Sequence, residues 1–428
     1  MPETDNLAEK TMEVFEETTG STHGYTSVTG YAGLPIFFSY ILIPNSGHYL
    51  ASHPESGPNT GCKIVTASDK DVRIRSFPLE LTENQDHLEE QGFLQSELTD
   101  LLEIITSFSF QKEISQIKVD SRFDLDVRYS ISSNSDGRLS RIPRYFLRTE
   151  IFAEDKFSKK GATRSVNMGC SFDFSILKSG LQARMIDASD DASAMLKTIK
   201  PNLGSWPTIF DNELSGFFLH YGLSHYAESY PSRPLGTTTE QEKPASVEVC
   251  DEPRLPLSYG YYDFDDESND SENQVLYNNE QFKQVFTGQP EIWGTDIPSN
   301  GHARCSKYWL DTHLRSSNTV VKAGEATIEE MLVGPGVYAK GLRQLTMDER
   351  GDFTLYPEAA FIVRNGAVQQ GLGAFSLQGN IFDSLSDVKL LSCDSKIFSA
   401  YCPFNCNDMD SCPSSVSSPA LLFLEQKA

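Results

Sequence analysis

An Asn-Gly dipeptide between two alternating apolar segments is the feature that most constrains the fold. Residues 352–364 precede Asn365-Gly366, and residues 367–375 follow it. Asn-Gly supplies the two positive-φ positions of a type I′ turn, which joins antiparallel strands tightly. We therefore predict a β-hairpin here. Strand-like segments dominate beyond residue 272, so the second half of the chain is predicted to be β-rich.

The first half mixes strand and helix patterns. Apolar residues recur at helical spacing from about residue 79 to 108, which predicts a long amphipathic helix. Apolar runs or alternating patterns predict five strands. These predicted strands span residues 36–43, 71–77, 123–131, 144–152 and 165–177. Together they indicate a sheet with a helix packed on one side, an α+β layer.

The length of the chain favours more than one domain. At roughly 150 residues per domain, 428 residues correspond to about two to three domains. A short predicted helix at 190–199 leads into Pro201-Asn202-Leu203-Gly204, which has the composition of a joint. We therefore predict an α+β fold with an α+β domain at 1–200 and a β-rich domain at 201–428.

Charge excludes several classes of partner. The chain has 36 Lys+Arg against 60 Asp+Glu, a formal net charge of -24. Such a surface repels phosphate backbones and acidic headgroups, so neither nucleic acid nor a membrane is an expected partner. The amino terminus lacks the pattern of a secretion signal, and we expect a cytoplasmic protein with reduced thiols. Residues 232–244 are predicted to form a loop, and the acidic run at 263–272 a solvated one.

The helix predicted over residues 213–229 carries the most chemistry. Asp211 or Asn212 can cap its amino end, and Pro231 follows its carboxyl end. Its sequence includes LHYGLSHYAES, which places histidines and a carboxylate on one short helix. Neutral imidazoles are common zinc ligands, so the segment is a candidate metal site.

The spacing of the two histidines constrains this interpretation. His220 and His225 are five residues apart, which places the second roughly 140° around a regular helix. Both can face one ion only if the helix carries an i→i+5 bulge or breaks, and Gly222 makes such a distortion cheaper. The alternative is that both histidines, with Glu228 nearby, are ordinary packing and hydrogen-bonding residues.

A cluster of cysteines near the carboxyl end could supply a thiolate ligand. Cys393, Cys402, Cys406 and Cys412 fit no standard zinc-finger spacing. One thiolate joining two histidines is therefore more economical than a site made of the tail alone, and a Cys-rich terminus without function is the alternative. The sequence contains no G-x-S-x-G elbow, P-loop or dinucleotide fingerprint, so nucleotide-dependent chemistry is not supported.

Several segments share a pattern with one known family. The clearest is GDFTLYPEAAFIVRNGAVQQGLGAFSLQGNIFDSL at 351–385, around the Asn-Gly turn. The others are RYFLRTE at 144–150, VEVCDEPRLPLSYGYYDFDDES at 247–268, NGHARC at 300–305, RSSN at 315–318 and PSSVSSPALLFLE at 413–425. These segments and their order along the chain resemble the TldD/PmbA family of metal-dependent peptidases and their partners, once called modulators of DNA gyrase.

The resemblance implies a metal site. It places LHYGLSHYAES on the helix where active members carry HExxxH followed by a further Glu. His220 and His225 then match the histidine ligands of a zinc ion, and Glu228 matches the later acid. Active members add a cysteine near the carboxyl end. Counting back from the terminal prolines gives Cys406 as the nearest match and Cys402 as the second.

The resemblance also implies a weakened active site. Tyr221 stands where active members have the glutamate that activates zinc-bound water, and a tyrosine with a pKa near 10 is a poor base. Losing such a base costs on the order of 10²- to 10⁴-fold in rate. We therefore expect a low-activity or non-catalytic subunit in peptide or protein processing, paired with an active HExxxH paralogue.

Two other functions remain open at this point. The chain could be an active zinc metallopeptidase, as a homodimer or otherwise, in which His220, His225 and a tail cysteine hold zinc and Glu228 or a substrate group is the base. It could also be a non-enzymatic regulator that binds peptides without cutting them. A peptide is the expected ligand in each case.

Overall fold

The computed structural model describes most of the chain. The described residues are 2–19, 25–42, 49–52, 59–68, 71–78, 100–101, 103–105, 110–132, 135–201, 204–228, 247–278, 281–282, 286–404 and 407–427. The architecture is strand-rich with packed helices, which confirms the α+β prediction.

Within the described part of the first half, seven strands form an antiparallel sheet. They are β1 Tyr25–Leu42, β2 Tyr49–Ser52, β3 Asn59–Ser68, β4 Asp71–Pro78, β5 Ile114–Ser132, β6 Ser135–Glu154 and β7 Gly161–Ser171. Their order is β4-β3-β1-β5-β6-β7, and β2 pairs with β1. Burial alternates along β5, as expected for a sheet with one covered face.

Among the helices described over their full length, α1 (Pro2–Thr19) and α2 (Ser175–Ala194) contact this sheet. Leu7 of α1 and Leu181 of α2 lie in one buried cluster with Ile117 and Leu147 of the sheet. This layer of helices on a sheet matches the prediction for the first half. Among the described residues, no helix is long and apolar enough to cross a bilayer.

Most strand predictions for the first half are confirmed. The predicted strands at 71–77, 123–131 and 144–152 lie within β4, β5 and β6, and the strand at 36–43 lies within β1 up to Leu42. The predicted helix at 79–108 lies largely outside the described residues. Its described part, residues 100–101 and 103–105, is helical.

Two boundaries are wrong. The strand predicted at 165–177 ends at Ser171, because Phe172 adopts a φ of 68° and the Asp173 side chain then accepts a hydrogen bond from the Ser175 amide at the start of α2. The helix predicted at 190–199 is only the end of α2, since Thr198–Ile199 forms a strand, β8, paired with a distant part of the chain.

In the second half, the residues that the structure describes form a sheet of twelve strands. They are β8 Thr198–Ile199, β9 Ser205–Phe210, β10 Val249–Asp251, β11 Gln274–Asn278, β12 Gln281–Phe282, β15 Asn318–Val321, β16 Gly336–Met347, β17 Asp352–Arg364, β18 Ala367–Leu372, β19 Leu377–Asn380, β20 Val388–Phe404 and β21 Asn407–Lys427. A separate ribbon pairs β13 (Ala303–Arg304) with β14 (His313–Leu314).

Short helices complete this half. They are α3 Asn212–Leu219, a π-helical turn His220–Ser224, α4 His225–Glu228, α5 Pro290–Trp293, α6 Ile328–Met331 and α7 Ile381–Ser386. Helix α3 contacts β16 and β21, and it approaches β21 closely. A Cβ on Gly216 would lie 2.6 Å from Val416 Cγ2. This close contact fixes the start of the candidate site against the sheet.

The hairpin prediction is confirmed. β17 and β18 are antiparallel and flank Asn365 and Gly366, whose φ values are 54° and 74°. Both positions are in the left-handed region, as a type I′ turn requires. The second strand ends at Leu372, short of the predicted Phe375.

The prediction that the acidic run at 263–272, hereafter the acidic turn, is solvated is wrong for its central residues. Asp265, Asp266 and Glu267 are each at most 1% exposed. Asp266 lies 2.8 Å from a guanidinium nitrogen of Arg128 in the first sheet, and Glu267 accepts a hydrogen bond from Trp293 Nε1. These donors come from distant parts of the chain, so the local charge pattern does not show them. Burial raises the pKa of both Asp265 and Glu267.

Contacts from the acidic turn and from β20 join the second half of the chain to the first sheet. The Arg128–Asp266 pair connects β5 to the second half, and Tyr401 of β20 donates a hydrogen bond to Asp124 of β5. The domain boundary after residue 200 stays a prediction, and the loop predicted at 232–244 lies outside the described residues.

Candidate metal centre

The helix that carries the two histidines begins as the sequence predicts. Asp211 is the N-cap of α3 and accepts a hydrogen bond from the Leu214 amide at 2.8 Å. Asn212, the other candidate cap, instead donates to the carbonyls of Asp394 and Ser418. These bonds tie the first turn of α3 to the β20–β21 pair.

A π-helical turn solves the spacing problem. The backbone switches to i→i+5 hydrogen bonding over His220–Ser224, and the amide of His225 donates to the carbonyl of His220. The centroids of the two imidazole rings consequently lie 5.0 Å apart, and the ring planes meet at 85°. Gly222 sits inside this turn because a Cβ there would lie 2.8 Å from Ile381. Described helix resumes as α4 and reaches Glu228.

One cysteine meets both histidines. Cys402 Sγ on β20 lies 3.4 Å from His220 Nε2 and 3.1 Å from His225 Nε2. The three ligand atoms lie within 4.8 Å of one another. His220 and Cys402 are 2% and 3% exposed, whereas the His225 side chain is 24% exposed. Cys406, the cysteine favoured by the count from the prolines, lies outside the described residues.

The far side of each imidazole is also occupied. His220 Nδ1 lies 2.8 Å from Thr319 Oγ1, which in turn lies 2.7 Å from Ser224 Oγ. His225 Nδ1 lies 3.2 Å from Glu228 Oε2. Partners on the Nδ1 side orient an imidazole so that its Nε2 lone pair points at a metal. Both Nε2 atoms here point at the sulfur.

This donor set fits zinc. Two imidazoles and a thiolate are ligands that zinc prefers, and three protein ligands are typical of sites that keep a fourth position open. A tetrahedral ion with bonds of about 2.3 Å to sulfur and about 2.0 Å to nitrogen separates each sulfur–nitrogen pair by about 3.5 Å. The observed separations of 3.4 and 3.1 Å are close to this value.

The charges of the site favour a thiolate at Cys402. Burial alone would raise the pKa of the Cys402 thiol, but His225 and then His220 lower this pKa to about 5. Burial would lower the pKa of His225, but the Cys402 thiolate and Glu228 raise this pKa well above its usual value. Burial likewise works against ionised Glu228, yet His225 and Arg315 hold the pKa of that carboxyl below its usual range. A thiolate is the form of cysteine that binds metals, and a metal at this site would take the place of the proton on His225 Nε2.

The two residues considered as bases lie beside His225. The ring of Tyr221 stacks on the imidazole of His225, with centroids 5.0 Å apart and planes within 6°. Glu228 lies behind that imidazole, and its Oε1 accepts hydrogen bonds from the amide and the hydroxyl of Ser316, each at 2.9 Å. Thus the carboxylate is held on the side of His225 away from Cys402.

Sequence reasoning missed the residues that surround the ligands. Thr319, Ser316 and Arg315 contact His220, Glu228 and Cys402 respectively, and Ser224 contacts Thr319. One signal was available, since RSSN at 315–318 resembles a family element and Thr319 follows it directly. The motif gave no indication of what these side chains contact.

A family model identifies the chain. The model described as "PmbA/TldA metallopeptidase C-terminal domain" matches residues 203–427, just over half of the chain. The chain belongs to the TldD/PmbA family. The match contains both histidines and Cys402, so the candidate metal centre lies within the TldD/PmbA metallopeptidase domain.

Relatives by sequence carry metalloprotease names. A metalloprotease of Methanocaldococcus jannaschii is 26% identical over 284 residues, covering 64% of this chain and 61% of that protein. A zinc metalloprotease TldD homolog of Saccharolobus solfataricus is 24% identical over 244 residues, covering 55% of this chain and 53% of that protein. The chain thus spans about half to three fifths of the length of these curated relatives.

Solved structures share the fold over the whole chain. TldE from Thermococcus kodakarensis has a TM-score of 0.73 at 14% identity and covers 98% of this chain and 100% of that one. A candidate modulator of DNA gyrase from Bacteroides thetaiotaomicron has a TM-score of 0.72 at 15% identity, covering 99% and 98%. At these identities the likeness shows the TldD/PmbA fold alone.

Proposed function

We propose that this chain binds zinc through His220, His225 and Cys402 and serves as the low-activity or non-catalytic subunit of a TldD/PmbA-type peptide-processing assembly. One observation carries the proposal: three ligand atoms converge within 4.8 Å beside a tyrosine instead of a glutamate. The metalloprotease names of the relatives support the metal and the peptide substrate.

The side chains around the ligands have distinct roles in this proposal. A bound zinc supplies Lewis-acid chemistry, polarising a carbonyl or acidifying water. Glu228 keeps the proton on His225 Nδ1 and thereby presents Nε2 to the metal. Tyr221 covers one face of that imidazole. Because a phenol is protonated at neutral pH, Tyr221 can donate a hydrogen bond but is a poor acceptor of the proton that a peptidase must remove.

The proposed partner is an active HExxxH paralogue. Support comes from names, since one structural neighbour is a TldE and one sequence relative is a TldD homolog. Co-expression with such a paralogue, followed by light scattering of the purified complex, tests the pairing. A stable heterodimer is expected, and a homodimer that excludes the paralogue contradicts it.

Restoring a carboxylate at position 221 tests the activity proposal. Tyr221→Glu should raise the zinc-dependent hydrolysis of a fluorescence-quenched unstructured peptide by about 10²- to 10⁴-fold, the usual contribution of a general base. Tyr221→Gln is the matched control, because it has the same length without a base and should stay at the wild-type rate. Wild-type protein that already hydrolyses the peptide as fast as Tyr221→Glu contradicts the proposal.

The second candidate function is an active zinc metallopeptidase. The observation that favours it is the complete ligand set, in which both histidines have hydrogen-bonding partners on their Nδ1 side. It predicts that the wild-type chain alone hydrolyses the peptide. It also predicts that a zinc chelator and Cys402→Ala each abolish this activity.

A further inference from the structure

We propose that residues 315–319, hereafter the positioning segment, hold all three metal ligands in place, and that Thr319 fixes the orientation of the His220 ring. The inference rests on the proposed zinc binding. The segment comprises Arg315, Ser316, Ser317, Asn318 and Thr319 and leads into β15. Thr319 contacts His220 directly, Ser316 reaches His225 through Glu228, and Arg315 contacts the backbone of Cys402.

Thr319 contacts the first ligand. Its hydroxyl oxygen lies 2.8 Å from His220 Nδ1 and 2.7 Å from Ser224 Oγ. Because His220 Nε2 must lack a proton to bind a metal, Nδ1 must carry it and donate to Thr319. The Thr319 hydroxyl then has its own proton available for Ser224. Thr319 therefore holds the His220 ring with Nε2 towards Cys402.

Ser316 acts on the second ligand through Glu228. The amide and hydroxyl of Ser316 both donate to Glu228 Oε1 at 2.9 Å, and Glu228 Oε2 lies 3.2 Å from His225 Nδ1. Two donors on one carboxylate oxygen fix the orientation of the carboxylate. Ser316 consequently fixes the direction in which His225 presents Nε2.

Arg315 contacts the strand that carries the third ligand. Its guanidinium donates to the backbone carbonyl of Cys402 at 2.5 Å, and its Nε lies 3.8 Å from Glu228 Oε1. Arg315 is 1% exposed. One buried cation thus links the backbone at the thiolate ligand to the carboxylate behind His225.

The segment is itself anchored on both sides. Ser317 donates to Asp251 through its amide and its hydroxyl, and Asp251 also lies 3.2 Å from His302 Nε2. The carbonyl of Ser317 accepts hydrogen bonds from Ser414 Oγ and from the Ser415 amide on β21. Because one anchored segment contacts or supports all three ligands, it fixes their positions relative to one another. A fixed ligand geometry is preorganised for the metal.

Replacing the Thr319 hydroxyl tests the proposal. Thr319→Val keeps the shape of the side chain and removes the hydrogen bonds. Thr208→Val is the matched control, because Thr208 is also buried in the second sheet and its hydroxyl donates to the Trp206 carbonyl, away from the ligands. Thr319→Ser, which keeps a hydroxyl, tests rescue.

Two readouts are measured on all four proteins. Zinc affinity comes from competition with a chromogenic chelator, and Thr319→Val should bind zinc about 10–100-fold more weakly than wild type and Thr208→Val. The orientation of the His220 ring comes from crystal structures of the metal-free proteins. In wild type and Thr319→Ser, Nδ1 should lie within hydrogen-bond distance of the hydroxyl at position 319, and in Thr319→Val the ring should turn away from this position.

The outcomes separate this inference from the zinc proposal. Equal zinc affinity and an unchanged ring orientation in Thr319→Val overturn the role of Thr319. A wild type that binds no zinc overturns the proposed function. In that case the orientation of the His220 ring alone decides the present inference, being unchanged in Thr319→Val if the inference is wrong and altered if it is right.

Ser316→Ala tests the branch to His225. Its control is Ser271→Ala, a buried serine whose hydroxyl donates to backbone carbonyls of the acidic turn. Ser316→Ala should also weaken zinc binding about 10-fold or more, and Ser271→Ala should not. Equal affinity in the two serine variants contradicts a segment that positions more than one ligand.

Discussion

The metal centre and the acidic turn are both buried and polar, yet their polar atoms are used in opposite ways. In the acidic turn, donors from elsewhere in the chain meet the carboxylates: Arg128 and the Cys305 amide reach Asp266, and Trp293 reaches Glu267. In the metal centre, the three strongest metal ligands point at one another, and the hydrogen-bond donors and acceptors lie behind them.

The difference separates a structural use of buried charge from a functional one. Buried charges are retained in proteins when hydrogen bonds or ion pairs compensate their desolvation. The acidic turn meets this requirement with donors from the rest of the chain. The metal centre brings a thiolate and two imidazoles together, an arrangement that a cation would stabilise further. Substitutions in the metal centre should therefore change zinc binding more than stability, and substitutions in the acidic turn should change stability more than zinc binding.

Removing the thiolate should have the largest effect on metal content. Cys402→Ala is expected to lose stoichiometric zinc, as measured by elemental mass spectrometry on purified protein. Cys412→Ala is the matched control, because Cys412 is buried directly opposite Cys402 in the β20–β21 ladder. Zinc should remain in Cys412→Ala and in Cys406→Ala. If zinc is lost from Cys406→Ala but not from Cys402→Ala, the thiolate ligand is Cys406.

The electrostatics of the metal centre can be titrated directly. In metal-free protein the thiolate absorbance near 240 nm, taken as wild type minus Cys402→Ala, should appear as pH rises through about 5. His225→Ala should move this midpoint upward, because burial still disfavours the thiolate and one imidazolium is gone. A midpoint unchanged by His225→Ala contradicts the thiolate–imidazolium pair.

Asp266→Asn should break the acidic turn instead. It removes the more deeply buried of the two carboxylates that Arg128 contacts and leaves Asp126 as the other, and the free energy of unfolding should fall by about 3 kcal/mol. Asp270→Asn is the control, because Asp270 is 63% exposed and its pairs with arginines are screened, so a change below about 1 kcal/mol is expected. Chemical denaturation measures both values. Folded Asp266→Asn should keep its zinc. An Asp266→Asn protein that loses zinc but keeps wild-type stability would contradict the structural role of the acidic turn.

Gly222→Ala should produce the smallest change, and this change should affect both stability and zinc affinity. Its Cβ would lie 2.8 Å from Ile381, so overpacking should cost about 1–3 kcal/mol and weaken zinc binding by disturbing the π-helical turn. Gly334→Ala is the control, since a Cβ there meets nothing within 4 Å. Thermal unfolding and chelator competition check the two effects. A Gly222→Ala protein indistinguishable from Gly334→Ala contradicts the packing role.

Local patterns predicted the features that depend on neighbours in sequence. The Asn365-Gly366 hairpin, the Asp211 cap and the requirement for an i→i+5 turn between His220 and His225 all follow from local spacing, and the structure shows each of them. The resemblance supplied the family, which the comparisons confirm.

Features that depend on distant partners were not visible. Burial of Asp266 requires Arg128, and the choice of Cys402 requires the position that β20 takes against β21 and the π-helical turn. The strand predicted at 165–177 failed for a local reason, since the positive φ of Phe172 has no signal in its residue type. The contacts of Thr319 need the fold itself.

X-ray absorption at the zinc edge of the purified wild-type chain tests the central claim most directly. A centre of His220, His225 and Cys402 predicts one sulfur neighbour at about 2.3 Å and two imidazole nitrogens at about 2.0 Å. A shell of three or four sulfurs would place the metal among the tail cysteines. Either that shell or a protein that binds no zinc contradicts the proposed centre.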